Sequence, residues 1–231
     1  MDILLIPGLW LDESCFAQVV PVLEAAGHRA RPLTLPGMHA GSDRAPVSLE
    51  DCVAAVAAAV DAAAGPVLLV GHSAGASLAL AAADARPGRV TGLVYIGGFP
   101  VAAGTPVAAG FDVAGGEIAL PEWSQFDEAE LRGLDAAALA AFRARAVPSP
   151  GRLSTDPVRF TDERRHDIPV TVICPEFTSA DLRQWLSEGE PVLAELARAR
   201  DLRLVDLPTG HWPQFTRPAE LGQAIVAAAA G

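Results

Sequence analysis

Among the 231 residues, the grouping best suited to covalent chemistry is Gly71-His72-Ser73-Ala74-Gly75. It follows the apolar run Val67-Leu68-Leu69-Val70 and precedes a helical stretch from Ala76 to Ala85, the strand–turn–helix setting in which a G-x-S-x-G serine is a nucleophile. The spacing has a steric reason. A serine on so sharp a turn needs small residues two positions before and after it, so that strand and helix can pass closely. The helix N-terminus then stands behind the hydroxyl, its free N–H groups and positive dipole end facing any negative charge that develops there. The plainer reading is a glycine-rich turn of an ordinary doubly wound sheet, and the pattern on both flanks favours the nucleophile.

A serine hydroxyl needs a base, and imidazole can take its proton near neutral pH. Of the five histidines, His72 adjoins the serine and is expected to point elsewhere by turn geometry. His28 precedes a strand pattern, while His39 and His166 lie among polar residues that read as loops. His211 stands apart, in Thr209-Gly210-His211-Trp212-Pro213, after the last strand pattern and before the last helix. That puts it at the sheet edge expected to carry Ser73, in the chain order the motif predicts. The loop Pro7-Gly8-Leu9-Trp10 after the first strand pattern is expected to supply a second oxyanion donor, the Leu9 N–H beside that of Ala74.

The elements that must position these residues alternate. Strand patterns lie at 3–6, 30–35, 66–70, 90–96, 170–174 and 202–207, most of them nearly continuous apolar runs, as expected where helices cover both faces of a sheet. Helical patterns lie at about 14–26, 48–63, 74–86, 181–198 and 217–229. Ser48 with Asp51 resembles a capping box, and Pro218 suits a first helical position. The fold class is therefore α/β, a mainly parallel sheet of about six strands flanked by helices. Residues 101–166 break the alternation with Gly/Pro-rich turns and an Ala-rich helix near 135–146. With Phe111, Trp123, Phe126, Phe142 and Phe160 they read as a packed cap inserted into one domain, whose core is 1–100 and 167–231.

Composition removes several other chemistries. With 51% hydrophobic and 19% charged residues, and a mean hydropathy of +0.29, the chain can bury a sizeable core. A net charge of −11 opposes docking on nucleic acid or an anionic membrane. There is no lysine, which excludes Schiff-base chemistry and a P-loop lysine. Missing Lys and Asn beside abundant Ala, Gly, Pro and Arg suit a GC-rich bacterial coding sequence. Cys15, Cys52 and Cys174 are too scattered for a disulfide framework or a metal cluster and read as small buried residues. The N-terminus lacks the pattern of a signal peptide. Residues 62–83 carry no formal charge, but their Gly, Pro, His and Ser suit a strand, turn and helix better than a membrane span. A cytoplasmic protein with a small-molecule substrate is expected, and the Ala-rich helices leave a homodimer open.

These motifs together resemble the α/β-hydrolase superfamily, and more narrowly its small plant-type methylesterase and hydroxynitrile lyase branch with bacterial relatives. The resemblance rests on residues 5–10, 20–28 and 35–37, on the GHSAG elbow and on Gly210-His211-Trp212. It covers 1–98 and 169–231. It implies a lid after the strand ending near Gly97, no cofactor, and the absence of the superfamily's first two antiparallel strands. Pro7 stands where that branch usually has a histidine, and its triad aspartate, just after the penultimate strand, has no direct counterpart in Cys174-Pro175-Glu176-Phe177-Thr178-Ser179-Ala180-Asp181. Glu176 is the nearest carboxylate, with Asp181, Asp206 or no acid as the alternatives.

The expected reaction is acyl transfer to water from a small or medium apolar ester, with Trp10, Phe99, Trp123 and Trp212 as candidate pocket linings or core residues. A lyase or cyclase step on the same site and a degenerate binding module are the competing readings. The cyanohydrin lyases of that branch use a cap lysine, which this chain lacks.

Overall fold

Four short apolar runs and two more polar edge strands set the frame. The computed structural model describes residues Met1–Gly231, with β1 (Asp2–Ile6), β2 (Arg29–Pro32), β3 (Val67–His72) and β4 (Val90–Ile96) in its first part. β5 (Glu117–Ile118) and β6 (Ser149–Pro150) form a small antiparallel ladder, followed by β7 (Val170–Cys174) and β8 (Leu202–Asp206). The main sheet is β2-β1-β3-β4-β7-β8, parallel throughout. Every residue of β1, β3 and β7 is buried, as a sheet covered on both faces requires.

Alternation along the strands divides the core. Leu4 and Ile6 of β1 belong to one apolar cluster with α2 (Leu49–Asp61) and α3 (Gly75–Ala85). Ile3 and Leu5 belong to the other, with Leu23 of α1 (Val20–Ala25) and with Leu221 and Ile225 of the C-terminal helix. Side chains that alternate with period two thus serve two helical layers. Ser48 and Asp51 close a capping box on α2, each bonding the other's backbone N–H.

Two helical expectations need correction. The pattern at 14–26 splits into a 3-10 turn, Glu13–Phe16, and the short α1 with Pro21 in its first turn. The pattern at 181–198 becomes α6 (Ser179–Glu188), because Gly189 adopts the left-handed conformation at its end and Pro191 follows; two 3-10 turns take the remainder. Pro218 begins the C-terminal helix as expected.

Between β4 and β7 the chain is mostly irregular, with α4 (Glu128–Leu131) and α5 (Ala136–Arg145) beside the β5–β6 ladder. Two-residue strands are too short to leave a periodic pattern, which is why the sequence did not announce them. The return of this segment to the sheet is fastened by buried charge. Arg165 donates to Glu195 at 2.7 Å and approaches Asp84 at 3.5 Å, and His166 bonds Glu195 at 2.8 Å. Asp84 also accepts the N–H groups of Thr161 and Asp162. His166 is therefore buried in an ionic cluster, where the sequence suggested a loop. Removing one member of such a cluster typically costs about 3–5 kcal/mol, since its partner is left buried and unpaired. α7 (Pro213–Thr216) and α8 (Pro218–Ala229) complete the chain. No helix is long and apolar enough to cross a membrane.

Candidate active site

Parallel strands in register deliver their following loops to one edge. Ile6 pairs with Gly71, Gly71 with Tyr95, Ile96 with Ile173 and Cys174 with Asp206, so the loops carrying Leu9, Ser73, Gly97, Glu176 and His211 leave the same side of the sheet.

At the end of β3, Ser73 has φ +53°, a left-handed conformation that is strained for a residue with a side chain. Local packing enforces it. A Cβ at Gly71 would lie 2.4 Å from the Gly75 carbonyl oxygen, and one at Gly75 would lie 2.6 Å from that of Ile6. Only glycine allows this approach, as the motif's spacing predicted. The Ser73 N–H donates to Ile96 O at 2.9 Å and its carbonyl accepts from Ala76 N at 2.9 Å, tying the turn to β4 and to the start of α3.

His211 and Glu176 meet. His211 Nδ1 lies 2.5 Å from Glu176 Oε1, and both side chains are mostly buried, at 15% and 16% exposure. With Nδ1–H donated to the carboxylate, the neutral ring leaves Nε2 unprotonated, ready to accept a hydroxyl proton. Glu176 Oε2 is buried without a hydrogen-bond partner, so the imidazole is the one group the carboxylate bonds. The two loops are laced together by Thr209 N donating to Pro175 O at 3.1 Å. Gly97-Gly98 runs against the His211 and Glu176 side chains and the backbone of Ser73. A Cβ on Gly97 would stand 3.3 Å from both His211 Nδ1 and Glu176 Oε2, and one on Gly98 would stand 2.8 Å from Ser73 Cα.

The other carboxylates are engaged elsewhere. Asp181 caps α6, accepting from Thr178 N at 2.8 Å and Thr178 Oγ1 at 2.6 Å, bonds that hold its carboxyl below the usual carboxylate range. Asp206 accepts from Ser179 N and Oγ.

His72 corrects an expectation. It does not point away from the site. Its ring centroid lies 5.0 Å from that of His211, and its Nε2–H donates to the His211 carbonyl at 2.8 Å. Burial, helped by the neighbouring His211, pushes its pKa down to about 3, so the ring stays neutral and keeps that donor. The backbone N–H of His211 donates to Glu130 O at 2.7 Å, so its peptide is held from both sides.

The Leu9 and Ala74 amides are both free of hydrogen bonds within the chain. Beside them lies a narrow apolar slot with only about 10 Å³ of free space, room for about one water molecule, lined by Leu9, Leu35, Met38, Leu78, Val107 and Leu153 among others. None of the four expected lining aromatics borders it. Trp212, 1% exposed, packs edge-on against Trp123, Phe126 and Phe142. Trp10 is buried against Phe111 and Phe126, and half-buried Phe99 packs at a tilt against Phe177. Such pairs favour core packing, each worth about 0.5–1.5 kcal/mol beyond area burial. The cysteines offer no rival nucleophile, since all are buried and burial pushes the Cys52 and Cys174 thiols up to about 12.

Comparison with known proteins agrees with this architecture. A pyrethroid hydrolase of Sphingobium wenxiniae is 35% identical over 97 residues, 41% of this chain. That match takes in only 35% of the relative's length. Among solved structures, an extracellular α/β-hydrolase from a Paenibacillus species superposes with a TM-score of 0.78 at 19% identity, covering 99% of this chain and 98% of the other. A methylesterase from Arabidopsis gives 0.78 at 16% identity, covering 100% and 99%. At these identities the structures share the fold. Residues 3–224 match the model of the Alpha/beta hydrolase family, and the chain belongs to that family.

Proposed function

We propose that the chain is a serine carboxylic ester hydrolase acting on small or medium apolar esters. Ser73 Oγ attacks the ester carbonyl, His211 Nε2 takes its proton and returns it to the leaving alcohol, and Glu176 steadies the imidazolium. The amides of Leu9 and Ala74 hold the oxyanion, where each such donor is worth about 3 kcal/mol. Water, activated by the same histidine, then releases the acid from the acyl-enzyme.

The observation that carries this reading is the 2.5 Å contact between Glu176 and His211 at the sheet edge that also bears the strained Ser73. The free Leu9 and Ala74 amides support it, as do a relative named as a pyrethroid hydrolase and a structural neighbour named as a methylesterase. A degenerate binding module would need a histidine without an acid, and the carboxylate on its ring weighs against that.

The test is steady-state hydrolysis of p-nitrophenyl acetate and butyrate. Wild type should turn over both, and Ser73→Ala should lose at least about 10³-fold in kcat with an unchanged far-UV spectrum. Equal rates for the two proteins would overturn the proposal.

A further inference from the structure

The oxyanion loop contains a second strained residue. Trp10 has φ +64°, and apart from Ser73 it is the only non-glycine residue with a positive φ. A bulky side chain there relaxes toward negative φ unless its surroundings prevent it. Nothing nearby in sequence supplies the restraint. Pro7 has no N–H to donate, and Gly8 is pressed against the elbow, where an added Cβ would lie 2.9 Å from Ser73 Cβ.

Instead, all three polar groups of Trp10 are taken by the inserted segment. Its N–H donates to Ser149 Oγ at 2.8 Å, its carbonyl accepts from Val147 N at 3.0 Å, and its indole N–H donates to Ile118 O at 3.2 Å. Ile118 and Ser149 face each other across the β5–β6 ladder, so one small ladder grips both the main chain and the side chain of Trp10. Ser149 is 1% exposed, so water does not compete for its hydroxyl.

We propose that Ser149 is a positioning residue for ester hydrolysis: by holding the Leu9–Trp10 peptide, it keeps the unpaired Leu9 N–H turned toward the oxyanion. The proposal rests on the ester-hydrolase reading above. The inserted segment then does more than cover the site, because it completes the site's electrostatics. Without the Ser149 hydroxyl the Trp10 N–H is buried and unpaired, φ at residue 10 is free to relax, and the preceding amide loses its orientation. A hydroxyl that merely fastened the segment to the core would affect stability or substrate capture and leave transition-state binding alone.

The experiment compares wild type, Ser149→Ala and Ser149→Thr in p-nitrophenyl butyrate hydrolysis and in affinity for phenylboronic acid, whose serine adduct carries an oxyanion-like oxygen. Loosening a donor should cost less than the 10²–10³ of deleting one, so Ser149→Ala is expected to lower kcat by about tenfold, with KM within about twofold. Boronate affinity should fall by the same factor, and Ser149→Thr should recover most of both. A folded Ser149→Ala with wild-type kcat and boronate affinity, or with only a raised KM, would overturn the proposal. If Ser149→Ala does not fold, Ser149→Cys, which keeps a side chain of similar shape but puts a weak sulfur acceptor where the hydroxyl oxygen stood, takes its place. It should show a smaller parallel fall of about threefold in kcat and boronate affinity, and no change would overturn the proposal. Wild type that neither hydrolyses the ester nor binds the boronate would overturn the hydrolase reading, and this proposal with it.

Discussion

Ser73 and Trp10 have the same strained backbone, φ +53° and +64°, and are held in opposite ways. The elbow is held locally, by Gly71 and Gly75 two residues to either side and by the start of the helix it opens. The loop after β1 is held from a distance, by a ladder whose serine lies 139 residues further along the chain. A restraint written within five residues is a motif. One written across the chain leaves no local trace, although it can matter as much to the chemistry.

Breaking this comparison begins with the contact between Glu176 and His211, which joins the loops after β7 and β8. Glu176→Ala should lower kcat by about 10⁴-fold in ester hydrolysis, the scale found when a triad acid is disabled. A loss under about tenfold would return the acid's role to another group. Next comes the elbow itself. Gly75→Ala drives a methyl into the Ile6 and Pro7 carbonyls, at 2.6 and 2.8 Å, and backbone cannot yield cheaply. Urea unfolding should report a loss of about 3 kcal/mol, whereas an unchanged midpoint would mean the elbow is less constrained than its φ implies.

A smaller effect is expected at His72, which links the two sides. His72→Phe removes the donor to the His211 carbonyl and should lower kcat by about tenfold with KM unchanged, and His72→Asn should recover part of it. Because His72 titrates only near pH 3, the acid limb of the rate profile around neutrality should be the same in wild type and variant. A shifted limb would mean that His72 itself titrates in the mechanism. The smallest effect belongs to Asp181→Ala, which loses the α6 cap but should leave kcat within about twofold of wild type. Its depressed carboxyl contributes stability above the ordinary carboxylate range and loses it as pH falls, so any difference in thermal midpoint should vanish in acid.

The same division explains what the sequence made legible. Strand patterns at 90–96 and 170–174 coincide with β4 and β7, because buried parallel strands are continuous apolar runs. The Ser48–Asp51 box was readable for the same local reason. Thr178 and Asp181 form an identical device, but their position after the penultimate strand made Asp181 look like a candidate acid. Aromatic residues were visible as a class, while their facing one another across Trp212 depends on contacts between the inserted segment, α5 included, and the Trp212–Phe215 stretch at α7. Ser149 and the donor role of His72 were invisible, since each depends on a partner more than a hundred residues away.

The central claim is that Ser73 is an activated nucleophile, and intact-mass spectrometry after exposure to a small fluorophosphonate tests it most directly. A single adduct on wild type, mapped to Ser73 and absent from Ser73→Ala, is the predicted result. No adduct on wild type, or one that survives in Ser73→Ala, would contradict it.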